Sequence, residues 1–378
     1  MIHPEKENCC GCGACAVGCP AHAIAMKPDA EGFLYPIVNS EKCINCSKCD
    51  KLCAFNKMTG ANSSLKCLVA RHVKDDVCNE STSGGMFTAI SDVFLKQDGV
   101  VYCPKFDDKM YLLHQRICDS LERDASRGSK YVQSDLYESL ESLLADLKKS
   151  KETAFFGTPC QVAAVKAFIP EKFQKTLYTI DIVCNGVGSP MFWERHKTKL
   201  EKKYKDKLSN YVFRPKKRGY LTQTEVAVFD RIGEKEIAYG MDRYNLIYYS
   251  GLIMRQCCSN CKFCSTNRMS DITISDYSKD ERRNLPFETE NGVSALMINT
   301  TKGNYLLQEF ENDILCLKVP KEKIEQVRLV KCGKRNPASE EFLDSCRKNG
   351  IDIALKEQYG FIKRVKMKIK EVYIRRFL

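Results

Sequence analysis

The sequence lacks the features that would place a protein in a membrane or outside a cell. No run among its 378 residues approaches the roughly 18 consecutive apolar residues that a membrane span requires. No charged segment followed by an apolar one opens the chain, so no secretory signal is read there. The expectation is a cytoplasmic protein, soluble or at most peripheral. Also missing is a G-x-G-x-x-G run opening a strand-turn-helix unit. Gly186-Val187-Gly188 runs into Ser189-Pro190 without the third glycine, which argues against a Rossmann dinucleotide site. The net charge of +12 raises nucleic acid as a partner, but no aromatic-interleaved basic strand or known nucleic-acid motif accompanies it.

What the chain has in abundance is cysteine, 22 residues of it. In a short secreted chain that number would mean a disulfide scaffold. Here most of the cysteines fall at metal-ligand spacings. Cys9, Cys12, Cys15 and Cys19 form a C-x2-C-x2-C-x3-C run followed by Pro20, and Cys43, Cys46, Cys49 and Cys53 repeat it. Three thiolates two residues apart suit three irons of a cubane [4Fe-4S] cluster, and the distal cysteine of each run serves the other cluster in two-cluster ferredoxins. The expected ligand sets are therefore Cys9, Cys12, Cys15, Cys53 and Cys43, Cys46, Cys49, Cys19. Zinc sites use cysteine pairs separated by a loop and fit this spacing poorly. Cys10 is out of phase with the pattern and reads as a spare thiol.

A second constellation lies downstream: Cys160, Cys184 and the tight group Cys257, Cys258, Cys261, Cys264. The two-residue spacing of that group is that of metal ligands, and one or two outside partners are needed to complete four. The isolated Cys67, Cys78, Cys103, Cys118, Cys316, Cys332 and Cys346 are assigned to packing, as small buried hydrophobes.

The hydrophobic pattern predicts an α+β protein: a small bacterial-type dicluster ferredoxin domain over residues 1–58, then a larger mixed α/β domain over 65–355. Residues 59–64, Thr-Gly-Ala-Asn-Ser-Ser, read as a linker, which makes the first module separable. Strands are expected at Val100 to Tyr102, Thr153 to Phe156, Leu177 to Val183, Glu225 to Phe229, Asp271 to Ser275 and Val293 to Asn299. One helix is expected to start near Ser83 and end at Gly99; another is capped by Asp135, with Glu138 three residues on. Both Cys160 and Cys184 follow a predicted strand, where open α/β sheets place ligands. Residues 356–378 form a basic amphipathic segment, with Lys363, Arg364, Lys366, Lys368, Lys370, Arg375 and Arg376 around Ile362, Val365, Ile369, Val372 and Tyr373. It reads as a terminal helix packed on its own domain, with membrane-surface or partner docking as the alternative.

Ser83-Gly84-Gly85 at a helix start could bring backbone N–H groups to a pyrophosphate, and Lys130 could add charge. An ordinary glycine-rich helix start with a loop lysine is the plainer reading of those residues. The balance changes with a resemblance that runs nearly the length of the chain. Ser83-Gly84-Gly85, Gly128-Ser129-Lys130-Tyr131, Gly157-Thr158-Pro159-Cys160-Gln161, Val183-Cys184-Asn185-Gly186-Val187 with Ser189-Pro190, Arg255-Gln256-Cys257-Cys258-Ser259-Asn260-Cys261-Lys262-Phe263 and Ser270-Asp271-Ile272-Thr273-Ile274-Ser275-Asp276 stand in order. Together they resemble the beta subunits of coenzyme F-420 hydrogenases and dehydrogenases that carry an N-terminal ferredoxin extension.

The resemblance implies an iron-sulfur flavoprotein oxidoreductase with FAD and a third [4Fe-4S] cluster held by Cys160, Cys184, Cys258 and Cys261. Cys264 is the runner-up ligand and Cys257 a weaker one. It also implies FAD contacts from Ser83, Gly84, Gly85, Lys130 and Tyr131, with Asp276 and Ser294 in the same pocket. Expected partners are a hydride carrier, F-420 or similar, and a redox protein or ferredoxin. No catalytic residue is assigned. The alternative is an electron-transfer subunit without its own substrate, serving a larger redox complex or a polysaccharide-modifying pathway. Three departures from the family pattern stand out. Ala54 replaces the proline that usually follows the second cysteine run, Asn185 stands where relatives often have histidine, and Tyr277-Ser278 where many have an aromatic pair. The last two bear on the substrate, not on the redox class.

Overall fold

A computed structural model describes residues 4–56, 61–216, 224–237, 244–277, 282 and 285–360. The architecture is α+β, with a small cysteine-rich module leading into a large mixed sheet. In the module, β1 (Ile24–Pro28) and β2 (Leu34–Val38) pair antiparallel, Ile24 opposite Val38. Two one-turn helices, Ala14–Val17 and Lys48–Lys51, carry Cys15 and Cys49. The module sits tightly on the rest of the chain: a Cβ at Gly13, whose φ is +79°, would come within 2.6 Å of the Tyr137 ring.

The strands of the body are β3 (Lys66–His72), β4 (Val100–Phe106), β5 (Leu112–Ile117), β6 (Thr153–Gly157), β7 (Leu177–Ile182), β11 (Ile272–Asp276), β12 (Ser294–Ile298) and β13 (Ile314–Lys318). They form one eight-stranded sheet in the order β13-β3-β12-β11-β7-β6-β4-β5. The central β4, β6, β7 and β11 are parallel, while β5, β12 and β13 run antiparallel to their neighbours. Strands covered on both faces lose the apolar-polar alternation, and β6 and β12 are buried at every position. Ile90 and Phe94 of the helix Met86–Leu95 and Phe310 of the helix Thr301–Phe310 pack on one face with Ala154 and Phe156. Leu143 of the helix Ser139–Lys148 and Val162 of the helix Pro159–Phe168 pack on the other with Phe155. Alternate residues of β6 thus serve opposite cores.

A second sheet, β8 (Leu208–Val212), β9 (Glu225–Phe229) and β10 (Gly233–Ile237), in the order β10-β9-β8, closes a third core around Trp193. Trp193 lies on the helix Pro190–Tyr204 and donates from Nε1 to the Met110 carbonyl at 2.7 Å.

The expected strands at 100–102, 153–156, 177–183, 225–229, 271–275 and 293–299 all correspond to strands here. Three expectations need correction. The helix read from Ser83 begins at Met86, because Gly84 is held in the sheet's hydrogen bonding and Gly85 turns left-handed at φ +84°. Asp135 does not cap a helix: its backbone pairs with Leu112 and His114 along β5, its Oδ1 accepts from the Tyr137 N–H, and the helix starts at Ser139. Of the read linker, residues 59 and 60 lie outside the described residues and the rest is not free, since Asn62 and Arg268 exchange two backbone hydrogen bonds and Ser64 Oγ bonds Asn299. Of the basic segment, residues 361–378 lie outside the described residues, and the helix before them ends at Gln358.

Candidate functional site

Among the described residues, no three His, Cys, Asp or Glu side chains converge on a point that a single metal ion could occupy. The first cysteine set instead surrounds a space. Cys9, Cys12, Cys15 and Cys53 line one small, almost wholly apolar void together with Cys10, Gly11, Met26, Leu52 and Phe55. Burial pushes the Cys15 thiol up, and Cys12, Cys9, Cys53 and Cys49 reinforce this as nearby thiolates. The Gly11 N–H donates to Cys9 Sγ at 3.4 Å and the Ala23 N–H to Cys19 Sγ at 3.4 Å, bonds that favour sulfur carrying negative charge. Cys19 and Cys49 pack against the same buried group, Cys15 and Ile24, whereas Cys46 is exposed. A thiol-lined apolar void is a donor set that fits a cubane cluster.

The downstream cysteines gather at the carboxyl ends of β6 and β7. Thr158 and Gln161 form a capping box at the start of the helix Pro159–Phe168, which sets Cys160 in its first turn. Thr158 Oγ1 lies 3.2 Å from Cys160 Sγ. Cys184 stands two residues beyond β7 and accepts from the Gly186 N–H at 3.3 Å. The 3-10 turn Gln256–Asn260 carries Cys257 and Cys258, and Cys261 follows it. Burial, then the neighbouring Cys160, pushes the Cys184 thiol up to about 12. Cys258 is raised first by its bond to Cys257, then by burial and by Cys184 and Cys160. Burial raises Cys261, with Cys160 and Cys184 adding to it. Cys160 and Cys184 thus neighbour each other and both Cys258 and Cys261, and Cys160, Cys258 and Cys261 pack against one buried cluster.

Cys10, read as a spare thiol, packs against both Cys12 and Cys160 in one buried cluster, and its thiol draws Cys160 down to about 7. Cys264 lies beside Cys332, and its Sγ donates to the Arg328 carbonyl at 3.3 Å. Cys332, read as packing, therefore borders this site too, with its Sγ 3.4 Å from the Cys261 carbonyl oxygen.

Beside this group a cavity of about 370 Å³ opens where β6, β7 and β11 end and β12 begins, the edge at which open α/β sheets bind ligands. Its lining includes Ser83, Gly85, Lys130, Tyr131, Asp276 and Ser294. Gly84, expected with them, stands behind the wall. Its N–H donates to Ser294 Oγ at 2.9 Å, and a Cβ there would lie 2.6 Å from the Ala70 carbonyl oxygen.

Lys130 also differs from its expected role as a free charge. Its Nζ donates to the carbonyls of Ser126, Arg127 and Gly128 at 2.7, 3.0 and 3.1 Å, so it braces its own loop. Asp276 is ion-paired with Arg214 at 2.8 Å. The Ser129 N–H donates to Thr82 Oγ1 at 2.9 Å and ties the two glycine loops together.

The cavity has an aromatic wall, of which the sequence reading named Tyr131 and missed Tyr248 and Tyr249. Tyr131 stacks on Tyr248 with centroids 4.5 Å apart, and the Tyr249 hydroxyl donates to that of Tyr131 at 2.9 Å. The Tyr248-Tyr249 pair just before Gly251 was the available signal. Flat rings, glycine loops and a helix start whose first N–H groups lack intrahelical acceptors suit a cofactor that joins a planar ring to phosphate. Cys184 lines the same cavity.

Residues 150–323 match the family model for the C-terminal part of the beta subunit of coenzyme F420 hydrogenase/dehydrogenase. Residues 8–57 match the "4Fe-4S dicluster domain" model. No curated protein matches the chain. Among solved structures, a chain from "Xenon derivatization of the F420-reducing [NiFe] hydrogenase complex from Methanosarcina barkeri" is 14% identical with a TM-score of 0.42, over 80% of this chain and 96% of that one. No helix among the described residues is long and apolar enough to cross a membrane.

Proposed function

We propose that this chain, whose residues 150–323 belong to the beta-subunit family of F420 hydrogenases and dehydrogenases, is a flavin-dependent iron-sulfur oxidoreductase. It moves electrons between a hydride carrier, F-420 or a similar deazaflavin, and a ferredoxin-type partner protein. Residues 1–58 and 65–355 divide the work. The dicluster module holds two [4Fe-4S] clusters through Cys9, Cys12, Cys15, Cys53 and through Cys43, Cys46, Cys49, Cys19. The body holds a third through Cys160, Cys184, Cys258 and Cys261, and FAD in the neighbouring cavity. One observation carries the reading: Cys184 is at once a neighbour of Cys160 and Cys258 and a wall of the cavity.

Bound there, a flavin would supply the conversion of a two-electron hydride into single electrons. The chain's own residues provide the setting. Tyr131 and Tyr248 offer a stacked face to a planar ring. Gly85 opens the helix Met86–Leu95 with no side chain in the way of an approaching phosphate. Lys130 and Thr82 hold the loop opposite in place. Met86, Phe87 and Phe156 line the interior and limit water.

The reading is tested on anaerobically purified protein by iron, sulfide and flavin assays with an absorption spectrum. About twelve irons, twelve sulfides and one FAD per chain are expected from three cubanes. About eight irons would remove the body cluster. Full iron with no flavin bound on titration would favour an electron-carrying subunit without its own substrate.

A further inference from the structure

Arg255 has no solvent exposure, and the three oxygens its guanidinium donates to are neutral. Its Nε donates to the Cys9 carbonyl at 2.8 Å, Nη1 to Gln133 Oε1 at 2.9 Å and Nη2 to the Leu34 carbonyl at 2.9 Å. The guanidinium lies 4.3 Å from the Tyr35 ring centroid and 5.2 Å from that of Phe33. Among the described residues no carboxylate forms an ion pair with it, whereas the nearby buried Arg268 has Asp181 at 2.8 Å.

A buried cation left without a counter-charge is costly, and arginine does not escape by losing its proton. Cysteines flank it: Arg255 caps the 3-10 turn that carries Cys257 and Cys258, the Cys258 N–H donates to its carbonyl at 3.1 Å, and Cys257 packs in one buried cluster with Cys10, Cys12, Cys160 and Cys261. The backbone makes room for it: a Cβ at Gly11, where φ is +69°, would stand 2.9 Å from Nη1.

We propose that Arg255 is the shared counter-ion of two cluster sites, the one lined by Cys9, Cys12, Cys15 and Cys53 and the one formed by Cys160, Cys184, Cys258 and Cys261. It raises the reduction potential of both. The inference rests on the reading above that [4Fe-4S] clusters occupy those thiols. Taking up one electron adds one negative charge to a thiolate-bound cubane, with no bond made or broken and no proton moved. A fixed cation in a low-dielectric interior favours that more negative state. Because the same guanidinium bonds the Cys9 and Leu34 carbonyls of the module and Gln133 of the body, it also fixes the spacing of the two sites.

The test is a potentiometric titration of the full-length, anaerobically reconstituted protein, with each cluster followed by its EPR signal. Gln133→Glu keeps the arginine and sets a carboxylate against Nη1. Arg255→Gln removes the charge, and Arg255→Lys keeps it without the fork. At a fixed solution potential, the reduced-to-oxidised ratio is expected to fall about tenfold in Gln133→Glu and Arg255→Gln, equivalent to about 59 mV for a one-electron couple. Arg255→Lys should stay near the parent. Unchanged midpoints in iron-replete Gln133→Glu overturn the proposal, even where Arg255→Gln does not fold. Iron content separates that failure from failure of the underlying reading. A parent with about eight irons lacks the body cluster, and the potential of the Cys9 to Cys53 cluster alone then decides the role of Arg255.

Discussion

Glu31 and Arg335 close a two-pronged ion pair, Nη2 to Oε1 at 2.5 Å and Nη1 to Oε2 at 3.0 Å, across the joint between the cysteine-rich module and the body. The side chains of Glu31 and Arg335 are only 14% and 11% exposed, so this is not one of the solvated pairs that contribute almost nothing. Around it, Ser189 Oγ donates to the Glu31 carbonyl and Gln133 Nε2 to that of Cys10 at 2.7 Å.

These contacts argue against the separability that the linker's composition predicts. A fragment of residues 64–378 loses the Cys9 and Leu34 carbonyls that Arg255 bonds and the Glu31 carboxylate of Arg335, and uncovers Ala163, Ala164 and Phe263, which pack against Cys10, Ala54 and Phe55. Such a fragment should aggregate or melt well below the parent. A monodisperse fragment with an unchanged melting temperature would sink this expectation. In the full chain, Glu31→Ala should cost roughly 2 kcal/mol, because it leaves a mostly buried guanidinium without its counter-charge.

Cluster assignment is checked by counting iron. Cys160→Ser and Cys184→Ser should each lose about four irons per chain and keep the rest. Cys346→Ser should lose none, since that thiol is fully buried in the core around Trp193. Cys264→Ser should also keep full iron, because Cys264 lies beside Cys332 and donates to the Arg328 carbonyl. Loss of about four irons from Cys264→Ser would exchange its role with one of the four assigned ligands.

The cavity is tested at Lys130. Lys130→Ala removes three hydrogen bonds to loop carbonyls, each worth about 1 kcal/mol, and frees the loop that carries Gly128. Flavin affinity measured by anaerobic titration should drop by about tenfold or more while iron content stays at the parent value. Equal affinity would place the flavin elsewhere.

A pH dependence follows from His114, which is almost fully buried. Its Nε2 bonds the Phe156 carbonyl at 3.0 Å and its Nδ1 faces Ser134 Oγ at 3.0 Å, a pairing suited to the neutral ring. Burial lowers its pKa from 6.5 to about 4. The unfolded chain takes up this proton below about pH 6.5 and the folded chain only below about pH 4. Stability is therefore complete above the upper value and falls as the pH drops through that window, by on the order of 3 kcal/mol. His114→Gln should show a smaller loss of melting temperature between about pH 7 and pH 4.5 than the parent. An identical loss in both would remove His114 as the cause.

Local chemistry made much of this protein legible from its sequence. The paired cysteine runs name a cluster type because their spacing is set by the size of a cubane. The strands at Thr153 and Ser294 were legible because short apolar runs bounded by turn residues have few other uses. Ser83, Gly85, Lys130 and Tyr131 were legible as a group only through the family resemblance, and the structure lines one cavity with them. What the sequence could not convey is what each side chain meets across the chain. Cys10 looks idle beside Cys9 until the fold brings Cys160 to it, and Asp135 looks like a helix cap until β5 claims its backbone. Lys130 looks like a free charge until its own loop curls around it. Arg255 is one more arginine among 60 basic residues, and only the closing of the module on the body turns it into a buried cation among sulfurs. Burial and partner choice depend on contacts between residues far apart in the chain, and spacing along the sequence does not encode those.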